Sequence, residues 1–170
     1  MEEKIPKIHR LNNTKFLWVI VVMLSGISSC KPEIVYENYR MIGRGGWHKD
    51  STMVYNFNIS DTLCYYSLFL NIRNFSDYEL RNLWLDIDIT YPDGHTESEI
   101  KEIVLADNFG NWVGSGIGDL SDLQVKHHPD RFFTIPGEYT VCIKHKMRTT
   151  VLKGIRDFGI SVKKAYRGEE

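Results

Sequence analysis

Residues 83–91 alternate between apolar and polar side chains, with Trp84 the one exception on the polar parity. Leu83, Leu85, Ile87, Ile89 and Tyr91 fall on one parity, with Trp84, Asp86, Asp88 and Thr90 between them. A period of two lines one face of a pleated strand and scatters around a helix. The pattern recurs at Met53, Tyr55, Phe57 and Ile59, and at Cys64, Tyr66, Leu68, Leu70 and Ile72. It recurs again at Tyr139, Val141, Ile143, His145 and Met147. A further strand is expected at 158–162, with candidates at 34–42, 99–105 and 131–134. Turn signals separate these runs: Ser60-Asp61, Asn74-Phe75-Ser76-Asp77, Pro92-Asp93-Gly94 and Pro136-Gly137. No run keeps a helical period, and 147–157 predicts one short helical turn at most. The expectation is an all-β chain folded as an antiparallel β-sandwich of seven to nine strands. Its topology is jelly-roll or immunoglobulin-like, which periodicity does not distinguish.

The first thirty residues follow different rules. Lys4, Lys7, Arg10 and Lys15 precede an apolar run from Phe16 to Leu24, and small residues follow. That order is a secretory signal. The apolar run is far short of the roughly 20 residues needed to span a bilayer. Ile27-Ser28-Ser29-Cys30 resembles a bacterial lipobox, with Ile27 where Leu is commoner. The expected organisation is a cleaved signal over 1–29, a lipidated tether over 30–36, one domain over 37–166 and a frayed tail over 167–170. A fatty acyl group such as palmitate on Cys30 makes the chain membrane-anchored rather than membrane-spanning.

Charge narrows the partners. The whole chain holds 21 basic and 22 acidic residues, net −1. Losing Glu2, Glu3, Lys4, Lys7, Arg10 and Lys15 leaves 17 basic and 20 acidic, net −3. Nothing there favours nucleic acid. Cys64 and Cys142 remain after lipidation of Cys30. They fall on opposite phases of their strands, so two free thiols are expected rather than a bridge.

The candidate sites are few. Residues 105–119 carry Gly110, Gly114, Gly116 and Gly118 around Trp112, without the Gly-Lys-Ser/Thr ending of a phosphate loop. This is either a long connection plugged by Trp112 or a partner-binding loop. Asp107, Asn108, Asp119 and Asp122 offer oxygen ligands, but not at calcium-loop spacing, and no metal or other cofactor is expected. Trp84 lies on the polar face of its strand, either under a crossing loop or exposed as a protein hot spot or sugar platform. Neither HExxH nor a nucleophile elbow is present; adjacent His127 and His128 would point to opposite faces if they lay on a strand, and solvated or core-satisfied histidines are expected. No enzymatic activity is expected.

The ordered set of Tyr36-Glu37, Trp47, Ile72-Arg73-Asn74, Tyr78 and Asn82-Leu83-Trp84-Leu85 resembles the GldH gliding-motility lipoproteins of Bacteroidetes. The likeness continues through Leu105-Ala106-Asp107, Gly110-Asn111-Trp112 and Gly114-x-Gly116-x-Gly118-Asp119. It ends with Pro136-Gly137-Glu138-Tyr139, Met147-Arg148, Leu152 and Gly154-Ile155-x-Asp157-x-Gly159. The resemblance implies a non-enzymatic envelope lipoprotein that serves gliding motility and the type IX secretion-linked machinery, with no catalytic residues. Its partners would be the membrane, through lipid on Cys30, and other envelope or motility proteins; no small-molecule ligand is expected. In this phylum acidic residues after the lipidated cysteine favour surface export. Lys31-Pro32-Glu33 supplies one acid and one base, so an outer-membrane anchor facing the periplasm is expected. The candidate partner-binding residues are Trp84, Asp107, Trp112 and Asp119. The rival reading is a carbohydrate-binding module using Trp84, Tyr91 and Trp112.

Overall fold

The computed structural model describes residues 33–128 and 130–165. The expected signal, Cys30 and residues 167–170 lie outside the described residues. Within them the chain forms β1 (Ile34–Met41), β2 (Trp47–His48), β3 (Met53–Ile59), β4 (Tyr65–Phe75), β5 (Asn82–Thr90) and β6 (Thr96–Val104). Then follow β7 (Leu120–Lys126), β8 (Arg131–Phe132), β9 (Gly137–His145), β10 (Val151–Leu152) and β11 (Ile155–Ala165). The helical turn expected over 147–157 is absent: β10 pairs there with β2, Leu152 opposite Trp47. Strand β1 opens at Ile34, so residues 34–36 belong to the sheet rather than to a tether.

Two sheets face each other. One runs β1-β11-β4-β7, with β8 also paired to β4; the other runs β3-β9-β5-β6. Numbering the eight long strands from first to last in chain order, the sheets read 1-8-3-6 and 2-7-4-5. First and last strands are neighbours, and each sheet mixes strands from both halves of the chain. That is the jelly-roll arrangement, which decides between the two sandwich topologies left open by periodicity.

The alternating stripes supply the core. Leu83, Leu85, Ile87 and Ile89 of β5 are buried with Tyr55, Phe57, Ile59, Tyr139, Val141 and Ile143 from the same sheet. Leu68, Leu70, Ile72, Phe158, Ile160 and Val162 close on them from the other sheet. Phe57 stacks on Tyr139 at 5.6 Å between ring centroids, and Phe133 meets Tyr139 edge-on at 4.7 Å. The Tyr55 hydroxyl donates to the Phe158 carbonyl at 2.9 Å, tying the two sheets across 103 residues of sequence. His145 is also buried, one ring nitrogen 3.0 Å from the Trp47 carbonyl oxygen, and desolvation pushes its pKa down.

Strand β4 departs from alternation because both of its faces are covered. Asn71 and Ser161 are buried on the outer side, where the Gln124 side-chain amide donates to the Asn71 oxygen at 2.7 Å. Arg73 binds Asp122 at 2.7 Å and Asp157 at 3.2 Å. These partners satisfy polar groups that would otherwise be costly to bury. Edge strand β6 is Thr-Glu-Ser-Glu-Ile-Lys-Glu-Ile-Val. Its charges discourage edge-to-edge association with another sheet.

The sandwich has two distinct ends. Eleven residues of β4 span roughly 33 Å. At its Tyr65 end lie Asp61, the 86% exposed Leu63, and Lys164, which pairs with Glu33 at 3.1 Å. At its Phe75 end lie the start of β7, opposite Phe75, and the connection that opens β5. The 105–119 segment leads into β7 and therefore belongs to this second end.

Candidate functional site

Parity explains Trp84. Its neighbours Leu83 and Leu85 point inward, so Trp84 faces out, and it is 38% exposed. The chain leaving β9 folds beside it. The Lys146 N–H donates to the Trp84 carbonyl at 2.7 Å, and the Trp84 N–H lies 3.2 Å from the Met147 sulfur. An open recess of about 610 Å³ results, lined by Leu80, Asn82, Trp84, Lys146, Met147 and Arg148. Leu80 is 41% exposed, so the recess combines accessible apolar surface with two basic side chains. Lys146 is engaged by Asp86 at 2.9 Å, and Arg148 is exposed. Leu80 also lines a neighbouring recess of about 690 Å³, where the Arg44 guanidinium sits 4.3 Å from the Phe75 ring centroid.

The glycine-rich segment is ordered by its own backbone. Gly118 has φ +73°, which favours glycine, while a Cβ at Gly116 would collide with the Leu120 carbonyl. Trp112 is partly buried, 6.4 Å from Tyr78 between ring centroids, and Ala106 and Trp112 form a β-bridge. Trp112 is therefore the plug of the connection. Exposure falls to Phe109 at 90%, Val113 at 56% and Ile117 at 95%, which sequence reasoning did not single out. Their low polarity inside a turn-rich segment was the available signal.

The acidic candidates have separate structural partners. The Asp107 carboxylate accepts from the Phe109 N–H at 2.8 Å, the Asn111 N–H at 2.9 Å and the Asn111 side-chain amide at 3.0 Å. The Asn111 side-chain bond, then the backbone donors, hold its carboxyl below the ordinary carboxylate range. Asp119 lies 3.7 Å from Arg44, and Asp122 pairs with Arg73. The three acids are thus engaged with different partners rather than gathered around one point. Replacing Asp107 with Ala should speed hydrogen exchange at the Phe109 and Asn111 amides while leaving the melting temperature nearly unchanged. Because the carboxyl is lowered, its support of the turn exists above the carboxylate range and is lost as pH falls through the lowered value. Exchange mapped by mass spectrometry at two pH values checks this.

Tyr91 does not join Trp84 in a platform. It sits on the inward parity, 5.2 Å from Tyr139 between ring centroids. Trp84, Tyr91 and Trp112 therefore lie on different faces and have different neighbours. The two cysteines are free thiols. The Cys64 thiol donates to Asp61 at 3.0 Å, and this hydrogen bond, then burial, pushes its pKa up. Burial pushes the Cys142 thiol up as well.

The histidine pair lies just beyond a strand. Strand β7 ends at Lys126, so His127 and His128 are not held to strand alternation. Their ring centroids lie 4.1 Å apart, and both rings turn to Glu99 of β6. His127 Nδ1 is 3.3 Å from Glu99 Oε1, and His128 Nε2 is 3.0 Å from Glu99 Oε2.

Comparison with known proteins fits this architecture to a family. The sequence model described as GldH lipoprotein matches residues 34–162, which run from β1 into β11. The chain is 32% identical over 157 residues to a protein named "Gliding motility lipoprotein GldH homolog" from Christiangramia forsetii, covering 88% of this chain and 94% of that one. It is 29% identical over 160 residues to "Gliding motility lipoprotein GldH" from Flavobacterium johnsoniae, covering 90% and 97%. Among solved structures it is similar to "Structure of infectious bursal disease virus Gx strain", with TM-score 0.35 and 16% identity, covering 84% of this chain and 34% of that one. With the family match spanning most of the sequence and both gliding-motility relatives covered almost end to end, the chain belongs to the GldH lipoprotein family.

Proposed function

We propose that this chain is a lipid-anchored, non-enzymatic envelope protein that helps to assemble or stabilise gliding-motility machinery linked to type IX secretion. The names of its two relatives support the motility context. The Ile27-Ser28-Ser29-Cys30 motif supports the anchor. Cysteines whose thiols are held up rather than down support a binding role over nucleophilic chemistry. Lys31-Pro32-Glu33 supports an outer-membrane anchor facing the periplasm.

The observation that carries the reading is the polarity of the sandwich. Glu33 lies at the Tyr65 end of β4, and the three residue steps from Cys30 to Glu33 span at most about 11 Å. A lipid on Cys30 therefore keeps that end close to a bilayer. The Trp84 recess and the exposed Phe109, Val113 and Ile117 belong to the Phe75 end, roughly 33 Å of strand away. Apolar side chains flanked by Arg148 suit a partner segment with an apolar anchor and a nearby acid. Confinement to a membrane raises the effective concentration of that partner without any new contact.

Photocrosslinking in intact cells tests this. A photoreactive residue at Leu80 or Ile117 should yield adducts containing motility or secretion-machinery proteins, and Trp84→Ala should weaken the Leu80 adduct. Leu63, at the other end, should not yield the same proteins. Equal capture of those proteins from Leu63, or no adduct from Leu80 and Ile117, contradicts the assignment.

A further inference from the structure

The structure assigns a second site, independent of the motility role: a zinc site built by Glu99, His127 and His128. The two imidazoles and the carboxylate bring ligand atoms within 4.8 Å of one another. The Glu99 oxygens lie 3.3 Å from His127 Nδ1 and 3.0 Å from His128 Nε2. In a tetrahedral site with zinc bonds of 2.0–2.1 Å, neighbouring ligand atoms are about 3.3 Å apart. Each imidazole nitrogen already lies near that distance from its own Glu99 oxygen, and a modest turn of the carboxylate and the rings would bring one oxygen and both nitrogens around a single ion.

The chain holds this cluster from three directions. Glu99 stands on edge strand β6, in register with Ile87 of β5. His127 is anchored by its backbone, its N–H donating to the Leu68 carbonyl at 2.7 Å and its carbonyl accepting from the Lys101 ammonium. Its side chain is 1% exposed, whereas His128 and Glu99 are 30% and 34% exposed. The ligands therefore form a fixed inner wall and an accessible outer one. Between them is a recess of about 130 Å³, which Glu97 also lines. That space leaves a fourth position for water.

The surrounding charge suits a dication. Glu97 and Glu99 face the recess from β6, and Lys101 lies 4.0 Å from Glu99, so the fixed charges there sum to −1 with both histidines neutral. Two imidazoles and one carboxylate form a nitrogen-rich donor set, which suits zinc far better than calcium or magnesium. Zinc binds the neutral rings through lone pairs, so protonation of either ring opposes uptake.

The test uses the full chain in detergent, without a polyhistidine tag, stripped of metal and titrated with ZnCl2 by calorimetry. One zinc per chain is expected at micromolar affinity or tighter, unchanged by the double variant Cys64→Ser/Cys142→Ser. Glu99→Gln and His128→Gln should each weaken binding at least tenfold; both residues are partly exposed, so circular dichroism should confirm that these variants keep the fold. Nuclear magnetic resonance of the unaltered chain gives a readout free of variants: zinc should shift the His127 and His128 ring signals and leave His48 and His95 in place. No binding up to 1 mM ZnCl2, binding unaffected by either substitution, or shifts confined to other histidines overturns the site.

Discussion

Phe158→Ala should destabilise the domain by about 3–5 kcal/mol, the range for truncating a fully buried aromatic ring. The ring is completely buried and lies 5.4 Å from Trp47 between centroids. Its strand pairs with Met41-side residues of β1 on one edge and with β4 on the other, Phe158 standing opposite Arg40 and Ile72. A cavity here would therefore open where the first and last long strands meet. Domains of this size have a total stability of roughly 5–15 kcal/mol, so the variant should approach the unfolding threshold. Ile100→Ala, at a 56% exposed edge position, should change stability by no more than about 0.5 kcal/mol. Urea denaturation of both variants checks the contrast. Comparable losses in the two would mean that the core does not centre on this contact.

The stripes at 53–59, 83–91 and 139–147 were legible because the inner face of each strand is buried and the outer one wetter, and that at 64–72 because one parity is apolar throughout although both faces of β4 are covered. Where neither signal is present, the reading fails. Strand β7 was not anticipated: Ser121 is buried, and Asp122 and Gln124 serve Arg73 and Asn71 rather than solvent. Strand β11 runs from Ile155 to Ala165, longer than the expected 158–162, because Asp157 and Ser161 are buried on its outer face with polar partners. The jelly-roll order rests on pairings such as Tyr39 with Gly159, which no local period encodes. Trp84 was legible as outward-facing from parity alone, while the companion surfaces of Leu80 and Met147 arrive from other segments. The meeting of Glu99 with His127 and His128 was hidden for the same reason, since they come from β6 and from the chain beyond β7.

Membrane attachment turns on Cys30. Two or three acyl chains hold a protein at a bilayer durably, since each buried CH₂ contributes about 0.8 kcal/mol, whereas an unacylated domain of this charge has no comparable attraction. Cys30→Ser should therefore release the chain almost completely into the soluble fraction without altering its fold, because the described sandwich starts at Glu33. The most direct measurement is mass spectrometry of the mature N-terminal peptide, paired with membrane fractionation of both forms. The expected result is a chain beginning at an acylated Cys30 in the membrane fraction, and a soluble Cys30→Ser variant. An unmodified Cys30, or a Cys30→Ser variant that stays with the membrane to the same extent, would contradict it.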